Sequence, residues 1–169
     1  MWVDRYDTLK RALLRAWAIL PLPRRLRSAI YWWVGGKFAV GVQGLVFDDE
    51  GRLLLLRHTY KGRYPWGLPG GGMGAAETPA GAIVRETREE AGLHVTVERL
   101  LAVERHPRRL LLELFYLCRS TGGAFRPNAE IAACAYFALT DLPPDIEPRL
   151  RRLLIRLAPA AQDVAASRH

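Results

Sequence analysis

The apolar positions of this chain fall into short strand-like runs and a few helical stripes. Residues 7–20 place Leu9, Leu13, Ala16 and Leu20 at steps of three or four, with Lys10, Arg11 and Arg15 off the stripe, which predicts an amphipathic helix. Pro21 and Pro23 end it. Residues 24–34 carry three arginines ahead of Ile30, Tyr31, Trp32 and Trp33, and Gly35 and Gly36 mark a break. Residues 38–47 read as a strand, 48–51 as a turn and 53–57 as the returning strand of a hairpin. Residues 58–74, rich in glycine, proline and aromatics, read as a loop. Thr78 suits a helix cap with Pro79 at the first position, and Gly92 suits the left-handed residue that closes the helix after about Ala91. Further strands are expected at 94–103, 110–118 and 131–139, with a turn at 120–123. A last helix, about 147–158, is striped by Leu150, Leu153, Leu154 and Leu157. The order is a mixed α/β pattern with mostly hairpin-connected strands. It divides into a basic helical extension (1–37), one domain (38–160) and a tail (161–169).

Composition narrows the classes. Half of the 169 residues are apolar and a quarter are charged, which suits one globular core and excludes a disordered chain. The net charge is +8, but it is unevenly spread: +6 in residues 1–37, −2 in 38–148 and +4 in 149–169. The slightly acidic middle argues against a uniformly basic nucleic-acid module. Cys118 and Cys134 are too few for a disulfide scaffold and form no zinc pattern. The uncharged stretches near the start are too short to span a bilayer, and Arg11 and Arg15 interrupt any signal-peptide core. A cytoplasmic protein is expected. Two readings stand for residues 1–34: helices packed on the domain, or a basic, aromatic-ended segment making peripheral contact with an anionic membrane.

The chemistry concentrates in one helix. Glu86, Glu89 and Glu90 are spaced to share a face, with Ile83, Val84, Thr87 and Ala91 opposite. Three carboxylates in one turn repel each other, and near a helix C-terminus the macrodipole adds to the cost. A hard divalent cation converts that repulsion into coordination. Alone, three glutamates read as a solvated acidic face. The preceding Gly70, Gly71 and Gly72, which permit close backbone approach to phosphate or metal, change the balance.

Loop and helix together resemble the Nudix box, GX5EX7REUXEEXGU, where U is a bulky apolar residue. Gly71 is followed by five residues and Glu77, and seven more lead to Arg85, Glu86, Thr87, Arg88, Glu89, Glu90, Ala91, Gly92 and Leu93. Thr87 is the one departure. Trp66-Gly67-Leu68-Pro69 and Glu130-Ile131 flank the box as in the family. The resemblance, over about 38–158, implies an α/β/α sandwich with a mixed, mostly antiparallel sheet. It also implies hydrolysis of a nucleoside diphosphate linked to another moiety, with Mg2+ or Mn2+. By motif position, Glu86, Glu89 and Glu90 correspond to metal-binding glutamates, and the Gly71 carbonyl completes the site. Arg85 would orient Glu86, and Glu77 would support the loop. The catalytic base falls to Glu86, Glu89 or a later-loop acid, for which Glu130 is the candidate.

Substrate choice is less legible. Gly70, Gly72, Trp66 and Tyr64 are candidates to contact substrate, and Arg57, His58, Lys61 and Arg63 to reach phosphates. Pro107, fourteen residues after Leu93, sits near an offset that accompanies ADP-ribose hydrolysis in some relatives, but its favoured reading is a turn between two strands. RNA 5′ ends are a second substrate class, and a non-catalytic nucleotide-binding module is a third reading. A homodimer is compatible with the sequence.

Overall fold

The computed structural model describes residues 23–34 and 37–166. Its elements are α1 (Arg24–Val34), β1 (Ala39–Phe47), β2 (Leu53–His58), β3 (Trp66–Gly67), β4 (Gly70–Gly72), α2 (Pro79–Ala91), β5 (Leu93–Arg105), β6 (Leu111–Gly123), β7 (Ile131–Phe137) and α3 (Pro148–Ala166). The chain forms two units, Met1–Lys37 and Phe38–His169. The helix expected at 7–20 and the break at 35–36 lie outside the described residues.

In the second unit a seven-stranded sheet runs in the order β3-β2-β1-β6-β5, with β4 paired to β1 and β7 to β2. Only β1 and β6 pair in parallel, from Ala39 opposite Leu111 to Phe47 opposite Arg119. The sheet is therefore mixed and mostly antiparallel. Leu53, Leu54, Leu55 and Leu56 are all fully buried. Successive strand residues point to opposite faces, so such a run requires cover on both sides. Leu54 and Leu56 join Ile83 and Ala91 of α2 in one core, while Leu53 and Leu55 join Leu153, Leu154 and Leu157 of α3 in the other. The result is an α/β/α sandwich with the acidic helix against one face.

α2 follows its local signals. The Thr78 side chain accepts a hydrogen bond from the Gly81 amide, Pro79 opens the helix, and Gly92 closes it at φ 68° with its amide bonded to the Arg88 carbonyl. Thr87 is fully buried at the apolar position because its hydroxyl donates to the Ile83 carbonyl at 2.8 Å. That bond satisfies the one polar atom it brings into the core.

Three expectations need correction. Residues 58–74 are not all loop, since β3 and β4 lie within them. Residues 120–123 are not a turn but the end of β6, with Gly123 opposite Leu93 and Gly122 opposite His94. Gly123 (φ 93°) is needed there for close approach: a Cβ would lie 2.4 Å from the Gly92 carbonyl oxygen. The last helix continues through Pro159 to Ala166, taking in part of the expected tail. Beyond the proline, Ala161 is 4% exposed and the Ala160 carbonyl accepts a hydrogen bond from Arg99, so tertiary contacts hold the extra turns.

Both cysteines are free, Cys118 buried and Cys134 half-buried. His58, at the end of β2, is 3% exposed, and neither ring nitrogen has a hydrogen-bond partner. Burial, then the charge of Lys61, lowers its pKa from 6.5 to about 4. The unfolded chain therefore binds more protons between those values, so this group makes stability fall as pH drops through the window. His58→Gln is expected to lose about 2–3 kcal/mol less stability than the wild type between pH 7 and pH 4, read by urea denaturation. Equal losses in the two proteins would refute the assignment.

Candidate active site

The glycine strand β4 sets the site against the acidic helix. Val42 pairs with Gly71 and Gln43 with Gly70. Gly70 adopts φ 151°, and a Cβ on it would lie 2.1 Å from the Val42 carbonyl oxygen. At Gly71 a Cβ would come within 2.5 Å of the Glu86 carboxyl carbon. The carboxylate of Glu86 thus rests against the Gly71 backbone, in space that no side chain can share.

Arg85 organises the acids. Its guanidinium donates to Glu77 through Nε (3.1 Å) and Nη2 (2.9 Å), to Glu86 and Glu89 through Nη1 (both 2.9 Å), and to the Gly72 carbonyl (3.1 Å). These bonds hold the guanidinium pKa above its usual value, Glu77 contributing most, and Arg85 in turn lowers the Glu77 pKa. Glu77 also accepts the Gly74 amide at 2.5 Å. One planar fork therefore ties the loop to the helix and fixes two of its three acids.

Glu90 differs from its neighbours. It is 7% exposed and accepts the Gly70 amide at 2.8 Å. Burial is the largest influence on it and raises its pKa from 4.5 to about 7; Glu86 and Glu130 push the same way, while the Gly70 amide and Lys61 oppose. Among the described residues no three Asp, Glu, His or Cys groups converge as a preassembled ion site. Glu86 and Glu89 turn to Arg85, and Glu90 turns to the Gly70 amide. The donors are nevertheless all oxygens, and a buried carboxylate faces further acids with little positive charge to balance it. That donor chemistry and local charge deficit fit a hard divalent cation.

Glu130 reaches the same neighbourhood, since its charge acts on both Glu90 and Tyr60. The residue that holds it there was not singled out in the sequence. Asn128 donates its amide to the Glu89 and Glu90 carbonyls (3.3 and 3.1 Å) and accepts the Glu130 and Ile131 amides (2.9 and 2.8 Å). It satisfies carbonyls at the end of α2 and clamps the Glu130 loop to it. Its signal is the pairing of an asparagine with a following acid in a proline-led loop.

A cleft of about 640 Å3 opens beside Gly71 and Gly72. Trp66, Tyr64, Lys61 and Arg63 line it as expected. Gly70 does not line it; its amide is bonded to Glu90 and its backbone packs on β1. Arg57 does not line it either. It stands on β2, paired with Trp66 on β3 and with Ala133 on β7. Trp66 packs edge-on against Phe137 at 5.1 Å, which fixes its ring at the wall. The far walls were not legible. His106 and Arg109 come from the turn that holds Pro107, and Arg149 bonds Glu113 at 2.6 Å.

Comparisons with known proteins show the family. The family profile described as NUDIX domain matches residues 37–157. A "MutT-like protein" of Streptomyces ambofaciens is 33% identical over 72% of this chain and 76% of its own length. An "ADP-ribose pyrophosphatase" of Methanocaldococcus jannaschii is 32% identical over 62% of this chain, which spans 64% of that relative. The solved structure of a "UDP-X diphosphatase" superposes with a TM-score of 0.67 at 26% identity, covering 95% of this chain and 81% of its own. With the box residues assembled around β4 and α2, and the profile spanning most of the chain, this protein belongs to the Nudix family.

Proposed function

We propose that this Nudix hydrolase cleaves the diphosphate linkage of a nucleoside diphosphate derivative with the help of a divalent cation, Mg2+ or Mn2+. The observation that carries the reading is the shared guanidinium of Arg85, which orders Glu86 and Glu89 and leaves the Glu86 carboxylate against Gly71, a residue of the cleft wall. Two similar proteins, an ADP-ribose pyrophosphatase and a UDP-X diphosphatase, support a nucleoside diphosphate as the shared substrate element.

Glu86, Glu89, Glu90 and the Gly71 carbonyl would hold the cation. When bound, it neutralises phosphate oxygens and lowers the pKa of a bound water. The chain supplies the rest. Trp66 and Tyr64 offer aromatic surface for a base at the cleft wall, and Lys61 and Arg63 offer positive charge for the phosphates. Water adds to one phosphorus, the anhydride P–O bond breaks, and the leaving phosphate keeps the bond electrons. The water proton passes to a carboxylate, for which Glu86, Glu89 and Glu130 are the candidates. Arg85 holds the first two in place. Glu77 holds Arg85.

Glu86→Gln and Glu89→Gln are each expected to lower kcat by about 100-fold or more, with the thermal transition unchanged. The measurement is phosphate-anhydride cleavage of ADP-ribose and UDP-sugars in Mg2+ or Mn2+. Retention of wild-type turnover by both variants would reject the assignment. The Asn128 clamp yields a second expectation. Asn128→Ala should slow turnover about tenfold. Because it acts through the Glu130 loop, the Asn128→Ala/Glu130→Gln pair should be no slower than Glu130→Gln alone. Multiplicative losses in that double-mutant cycle would show that the two residues act separately.

A further inference from the structure

The N-terminal unit carries a surface that the hydrolytic site does not use. In α1, Leu26, Ile30 and Trp33 recur at steps of four and three, so they share one side of the helix. Arg24 and Ser28 fall on the other side. Leu26 is 47% exposed and Trp33 81% exposed, and Trp32 beside it is 67% exposed. Large apolar side chains are rarely left this open in adjacent pairs without a purpose. The helix has no acid in its sequence, RRLRSAIYWWV, and both Arg24 and Arg25 are exposed. Lys37 adds a further cation, its Nζ 3.6 Å from the Trp32 ring centroid.

We propose that α1 is a peripheral docking helix for an anionic lipid surface. The charge distribution selects this occupant. The unit Met1–Lys37 carries +6 of the net +8, so a basic protein face, including a second copy of the same unit, would meet like charge, and a neutral one would leave the arginines without counter-charge. Anionic headgroups supply the opposite sign, and the acyl boundary accepts the apolar side. Tryptophan suits that boundary because its ring is amphipathic, and arginine stems reach from it to phosphate. No helix among the described residues is long and apolar enough to cross a membrane, so contact would be in the interface plane. The helix is about 16 Å long, too short to anchor strongly by itself, and binding would be reversible and salt-sensitive.

The test is co-sedimentation of the full chain with phosphatidylcholine vesicles, with and without phosphatidylserine, at low and high salt. The wild type should pellet only with the anionic vesicles and lose binding as salt rises. Arg24→Glu/Arg25→Glu should weaken binding by about 25-fold or more, at roughly fivefold per charge removed. Trp33→Ala should weaken it as well. Both variants should keep wild-type hydrolysis and circular dichroism, since neither residue belongs to the proposed catalytic machinery. Failure of the wild type to pellet, equal pelleting on neutral vesicles, or wild-type binding by both variants would overturn the proposal. So would a change of oligomeric state in Trp33→Ala without vesicle binding, which would assign the helix to self-association.

Discussion

The site depends on one guanidinium shared among acids that repel each other. Glu86, Glu89 and Glu90 crowd the C-terminal half of α2, where the helix dipole is already unfavourable to negative charge. Arg85 bonds two of them and extends to Glu77 and the Gly72 carbonyl. A lysine offers no planar fork and has too few aligned donors to bridge these groups at once. The remaining features follow from this clamp. With Glu86 held toward β4, Gly71 has no room for a side chain, and with β4 drawn onto β1, Gly70 presses on the Val42 carbonyl.

The elements with local punctuation were legible in the sequence. Thr78, Pro79 and Gly92 bounded α2 correctly, and Asp48 to Gly51 marked the first hairpin. β3 and β4 were not legible, because strands of two and three residues carry no period, least of all when one is only glycine. Gly122 and Gly123 misled for a related reason. Glycine marks a turn or a close approach equally well in sequence, and here the approach to Gly92 decides. The parallel pairing of β1 with β6 joins segments about seventy residues apart and leaves no local trace. Nor does the burial of Ala161, which carries α3 past Pro159.

The same division holds for the site. Residues on one helix face announce themselves by spacing, so the three acids were found together, and Arg85 came with the motif that contains them. The far walls of the cleft were not, since Arg109 and Arg149 come to face Lys61 only after the sheet assembles. Arg57 reads in the sequence as a phosphate ligand equal to Lys61, but the pairing of β2 with β3 and β7 leaves it off the cleft wall. Asn128 shows the limit most clearly. Its four hydrogen bonds join residues thirty-eight and thirty-nine positions back to those two and three ahead.

Net charge also changes meaning once the fold is known. Residues 38–148 are slightly acidic, and the arginine nearest the glutamates is occupied by them. A diphosphate approaching that helix meets like charge, so its attraction cannot come from Arg85 or from the bulk charge of the domain. Under the proposed function it would come from a cation held among the acids and from the separate basic residues of the cleft wall, where Arg149 is itself partly offset by Glu113. Without a bound cation, such a cluster of acids would repel anions. A cation binding before the diphosphate would then follow from the commitment of Arg85 to Glu77, Glu86 and Glu89.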